Sequence, residues 1–171
     1  MTYKWEEVTG SSLMQGDILV DCIVPIFDTD YNPENIPKEG IMPIDFVDYD
    51  LIILTQSCDL ANEKTRLVAT CPVHKKIEFQ TVNPLYKSKN KWKEIEKGKI
   101  LGLYLLPPLP SDESEDDHLI VNFREIYSLP YSYLTKRAIS LGMRWRLCSP
   151  FREHLSSSFG NFFSRVALPG P

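Results

Sequence analysis

Long apolar runs are missing from this sequence. None approaches the ~18 residues that a membrane-spanning helix needs, and the opening MTYKWEEVTG has no apolar core of the kind a secretory leader carries. The expectation is a cytoplasmic protein with no membrane contact. Cysteine is scarce, at four residues (Cys22, Cys58, Cys71 and Cys148). In a reducing compartment these are thiols or ligands rather than disulfides. A dominant charge of one sign is absent too. A net charge of −4 removes any argument for nucleic acid from the total, while leaving local patches open. Glycine is outnumbered by proline, eight against thirteen, and so many strand ends and turns favour a β-rich chain.

What is present fits one domain over residues 1–171, long enough to bury about two-thirds of its unfolded surface. ILVDCIV, from Ile18, is a near-continuous apolar strand ended by Pro25. Residues 26–48 carry three prolines and little periodicity, and connections that long are usually functional. YDLIILTQ and TRLVATCPV are strands flanking a turn at Cys58–Glu63. NKWKEIEKG predicts a mid-chain helix with Gly98 as C-cap. KILGLYLLPPLP, LIVNFREIYSLP and MRWRLCSP supply further strands, and SDESEDDH (Ser111–His118) is an acidic connection. After Ser149 as N-cap and Pro150 at the first helical position, Phe151, Leu155, Phe159, Phe162 and Val166 form one apolar helical face. The fold class expected is mainly β with α additions: a small SH3-like barrel over about residues 15–148, a mid-chain helix, and a C-terminal amphipathic helix over about 150–166.

Three kinds of chemistry are open. Cys58, Cys71 and His74 stand as C-x12-C-x2-H, residue types that zinc accepts in a stabilising site. The alternative for Cys71 is a buried thiol acting as a small hydrophobe. A Cys58 thiolate with His74 as base is a second possibility, with Asp59 to orient the ring. The third is nucleic acid. Tyr86–Lys99 holds six lysines interleaved with Tyr86 and Trp92, whereas residues 28–50 hold seven acids and one lysine. Lys87, Lys89, Lys91, Trp92 and Lys93 are thus candidates for phosphate contact plus base stacking. The alternative is a solvated helix with Trp92 and Ile95 turned inward. Arg144, Arg146, Arg152 and Arg165 extend a basic surface or take alternate outward positions of a strand and a helix.

The order of GDILVDC, DLIILTQ and TRLVATCPVHK, over about residues 15–75, resembles the PemK/MazF-like family of SH3-like-barrel toxins, with an echo in VNFREIYSLPYSYL. The resemblance implies a bacterial toxin–antitoxin or phage-defence setting. Members of that family cleave RNA without a metal, using an arginine before the second strand and a threonine after a proline. Here Asp48 and Asp50 fall in the arginine's place and His74 in the threonine's. A histidine can serve as acid or base, but carboxylates repel a developing phosphate charge.

The leading expectation is therefore a catalytically divergent binding module that contacts a protein partner or RNA, with no cofactor and with homo-oligomers possible. Its recognition edge is the 26–48 loop with Gln56, Ser57, Cys58 and Asp59. The alternatives are an endoribonuclease with His74 as acid/base and Lys75 or Lys76 as phosphate clamp, and a zinc-stabilised domain.

Overall fold

The apolar block Leu51–Leu54 has no polar alternation, which suits a strand covered on both faces. A computed structural model of the chain describes residues 4–27, 32, 34, 44–62, 65–110 and 118–164. It places that block at the centre of a six-stranded antiparallel sheet. The strands are β1 (Trp5–Thr9), β2 (Ile18–Ile26), β3 (Asp45–Ile53), β4 (Leu67–Lys75), β5 (Leu103–Leu106), β6 (Leu119–Asn122), β7 (Tyr127–Pro130) and β8 (Met143–Leu147). The helices are α1 (Ser57–Ala61), α2 (Lys76–Val82), α3 (Lys89–Glu96), α4 (Tyr131–Leu141) and α5 (Phe151–Phe163), with a 3₁₀ turn at Pro84–Lys87.

The main sheet runs β2-β3-β4-β6-β5, with β7 also paired to β4, and β1 and β8 form a separate two-stranded sheet. The mainly β class with helical additions is the observed one. The sheet does not close into a barrel, because β2 and β5 lie at its opposite ends. Helices cover both faces instead, so closure is not needed to bury them. On one face Ile52, Cys71, Val73 and Val121 pack with Leu155, Phe159 and Phe162 of α5. On the other, Leu51, Ile53 and Val68 pack with Leu134 and Ala138 of α4. Further along that second face, Ile120 and Leu103 pack with Phe79 of α2 and with Trp92 and Ile95 of α3.

Several local readings are corrected. Pro25 does not end its strand; it sits inside β2, which is an edge strand and so has one side with no ladder bond to lose. Asp45–Asp48 belong to β3 rather than to a loop, and residues 28–31, 33 and 35–43 lie outside the described set. The Cys58 turn is the short helix α1. Ser149 does not cap α5: Pro150 holds the cap position, and the Ser149 hydroxyl bonds the Glu153 carboxylate. Arg165, Val166 and the acidic segment 111–117 lie outside the described residues.

The two sheets meet at Gly16. Its N–H donates to Ile53 O at 2.9 Å and its carbonyl accepts from Leu147 N at 3.0 Å. At φ +86°, with a built Cβ only 2.9 Å from Leu147 Cβ, the position admits glycine alone. No described helix is long and apolar enough to cross a membrane.

Candidate functional site

Once α2 has turned back over the sheet, the lysine-rich segment becomes one wall of a cavity. Lys76, Ile77 and Gln80 of α2, Lys87 of the 3₁₀ turn, and Lys89, Trp92, Lys93 and Glu96 of α3 enclose about 520 Å³. Four lysines and one acidic residue, Glu96, thus line the same cavity. The local sequence accounts for this. Phe79, Trp92 and Ile95 anchor both helices on Leu103 and Ile120, which leaves the intervening lysines to the outer face. Pro84 at the first position of the 3₁₀ turn supplies the bend between α2 and α3.

Of the expected binding residues, Lys87, Lys89, Trp92 and Lys93 line this cavity together, and Lys91 does not: its Nζ pairs with Glu94 Oε2 at 3.0 Å. The expectation of base stacking is not met. Trp92 is only 7% exposed, and the Lys76 ammonium lies 4.8 Å over its ring. Tyr86 packs on Phe79 at 5.4 Å. Both aromatics are engaged inside the fold, so the cavity offers charge at its rim and an apolar floor, not an open ring face.

His74 sits elsewhere on the same strand-to-helix path. It shares a sheet face with Ile120, directly opposite it on β6. Its Nε2 is 3.3 Å from Glu125 Oε2, and Asn122 Nδ2 donates to Glu125 Oε1 at 2.6 Å. The bond with His74 holds the Glu125 carboxyl below its usual range, helped by Asn122 and opposed by burial. Tyr49 stands edge-on to His74 at 6.4 Å and stacks on Tyr127 at 5.7 Å. Burial, with the hydrogen bond to Tyr49, pushes the Tyr127 hydroxyl up to about 12. Neither Glu125 nor the two tyrosines could be placed beside His74 from spacing, since they come from three different strands or turns.

Asp48 and Asp50 alternate with Tyr49 along β3, so they point away from the His74 face. The carboxylates expected to oppose a phosphate at His74 therefore do not face it. The two residues expected as a phosphate clamp stand at the start of α2. Lys75 donates its backbone N–H to Glu78 Oε2 at 3.1 Å at the start of α2, and Lys76 covers Trp92.

No protein-family model, curated protein or solved structure matches the chain. The functional reading must come from these side chains.

The ligand set Cys58, Cys71 and His74 is not assembled. Three residues apart on β4, Cys71 and His74 face opposite sides of the sheet, and Cys58 is exposed on α1. Burial pushes the Cys71 thiol up to about 12, far from a ligating thiolate. Among the described residues no group of three or more His, Cys, Asp or Glu could hold a metal ion. The same separation removes Cys58 with His74 as nucleophile and base. Gln56, Ser57 and Cys58 instead line a polar cleft of about 460 Å³ with Gln15, Arg152, Glu153, Ser156 and Ser157. Asp59 is not part of that lining. Gln56 Nε2 donates to Ser156 Oγ at 2.7 Å, tying α1 to α5.

Arg144 and Arg146 are the other correction. They are buried, and both guanidinium groups bond the fully buried Asp17 carboxylate. Arg144 Nε donates to Asp17 Oδ2 at 2.8 Å, and Arg146 Nη2 donates to the same oxygen at 2.9 Å. Neither extends a basic surface. Trp145, between them, faces the other way.

Proposed function

We propose that this chain is an RNA-binding module that holds the phosphate backbone, without reading bases, at the cavity between α2 and α3. One observation carries the reading: Lys76, Lys87, Lys89 and Lys93 surround a single cavity that contains one acid, Glu96. A polyanion gains from each ammonium it contacts by releasing condensed counterions. The occupied faces of Trp92 and Tyr86 support backbone contact over stacking. Sequence preference should accordingly be weak. The setting, a bacterial defence or toxin-type system, rests on the family resemblance alone.

Fluorescence anisotropy with a short single-stranded RNA tests this across a salt series. Three to four phosphate contacts give a slope of log K against log salt between about −2 and −3. Lys89→Ala with Lys93→Ala should remove roughly half of that slope. Affinity that ignores salt, or that the double substitution leaves unchanged, would end the reading.

The His74–Glu125 pair favours a second reading, metal-independent cleavage of RNA. A carboxylate that orients one imidazole nitrogen leaves the other to take or give a proton. Its test is strand cleavage in chelator by the wild type beside His74→Ala and Glu125→Gln. Cleavage that survives His74→Ala, or none in the wild type, removes this reading and leaves RNA binding standing.

A further inference from the structure

Two exposed apolar surfaces, one flanked by acids and one by lysines, lie toward opposite ends of the main sheet. At one end the β2–β3 hairpin presents Ile23 and Phe46, 49% and 63% exposed. Register pairs Ile23 with Asp48 and Pro25 with Phe46, so these four share one face of the hairpin. Asp50, two residues on from Asp48, is exposed on the same face. At the other end, over β5, the rim of Lys87, Lys89 and Lys93 is joined by Ile77, Val82 and Leu85, which are 74%, 81% and 62% exposed. Among the described residues, no ion pair engages Asp48, Asp50, Lys87, Lys89 or Lys93. β2 and β5 are four strand steps apart, roughly 20 Å at ~4.8 Å per step, so the two surfaces cannot neutralise each other within one molecule.

We propose that the chain associates head to tail with a second copy of itself. The Ile23 and Phe46 face of one hairpin seats on the apolar floor of the next copy's lysine cavity, and Asp48 and Asp50 meet its ammonium rim. Each surface has an apolar centre, and their charges are opposite in sign, so docking satisfies both at once. Pairing through the outer edge of β2 is the competing mode, and the strand is built against it. Asp21, at φ 48°, stands where the register shifts between Leu19 and Cys22, and Pro25 interrupts the ladder further on. The contact is heterologous, so copies extend into a chain or close into a ring. This inference rests on the RNA reading in one respect: hairpin and RNA phosphate compete for the same cavity, so self-association would restrict access to RNA.

Sedimentation velocity of the full chain, from about 1 to 200 μM at about 50 mM and about 500 mM salt, tests it. The average mass should rise with concentration at low salt, and association should weaken at least ~10-fold at high salt. Two exposed double variants sharpen the result: Phe46→Ser with Asp48→Asn breaks the hairpin surface, and Lys89→Gln with Lys93→Gln breaks the cavity. Each alone should be monomeric while keeping the wild-type circular dichroism. Mixed in equal amounts they should form a dimer and stop there, because only one intact contact remains. A wild type that stays monomeric throughout, a variant that still associates, or a mixture that stays monomeric overturns the proposal. The hairpin variant should bind RNA at least as tightly as the wild type. Absence of RNA binding from every protein, with the mixing result intact, would sink the RNA reading and leave this one in place.

Discussion

Asp17 shows how much one carboxylate can organise. It is fully buried, and its oxygens accept from Arg144, Arg146 and the Met14 N–H. Arg144 Nη1 also donates to Gly10 O at 2.8 Å and Arg146 Nη2 to Ser12 O at 2.9 Å, fixing the 10–17 segment to β8. Replacing one partner of a buried pair leaves charge that nothing compensates, at a cost of ~3–5 kcal/mol. Asp17→Asn, nearly isosteric, should show a loss of that size in urea unfolding; a change under about 1 kcal/mol would mean that solvent reaches the guanidinium groups. Glu125 makes a pH-dependent contribution. Its folded pKa is depressed, chiefly by His74, so the unfolded chain binds the proton more readily. The resulting stability is present above the ordinary carboxylate value of about 4.3 and is lost as pH falls through the lower folded value. Thermal melts from about pH 6 to about pH 3, a range that spans that value, should fall less steeply for Glu125→Gln than for the wild type. Equal slopes would show that the pair contributes nothing.

Among the elements, α5 was the most legible, because Phe151, Leu155, Phe159 and Phe162 repeat at helical spacing: Leu155 is buried, and the three phenylalanines pack half-buried against the same core. Leu155, completely buried, is the residue on which the helix packs. Leu155→Ala should cost ~2–5 kcal/mol, read as a lowered urea midpoint with an unchanged slope. A cost below that range would place the helix's anchorage in its phenylalanines. The helix α4 was not legible. YSYLTKRAISL carries β-favouring Tyr, Thr and Ile, and only Leu134 and Ala138, four residues apart, are buried. Packing on the β2–β3 face overrode local propensity there. The mid-chain helix was read in roughly its place, but Lys76–Val82 before it was not, since its one buried side chain, Phe79, gives no periodicity.

At the scale of the whole molecule, Asp48 and the lysine cavity lie toward opposite ends of an open sheet, and salt should therefore weaken the proposed RNA binding and the proposed self-association alike. The sequence by itself determined the β-rich class, the positions of most strands and the lysine run, because alternation, apolar blocks and charge clustering are local in the chain. It also kept Lys87, Lys89, Trp92 and Lys93 close together, since they fall within one short stretch of the chain. Tertiary structure alone decided which side chains the candidate site could use. Trp92 became core and acquired a lysine over its ring, because α3 needed an anchor on Leu103 and Ile120. It also decided what His74 meets: Glu125, Tyr49 and Tyr127 come from distant parts of the chain, and no spacing within one segment encodes their approach. The arginines of β8 turned inward for a similar reason. The Asp17 carboxylate, more than 120 residues away in the chain, supplied the partner that let two charges leave water.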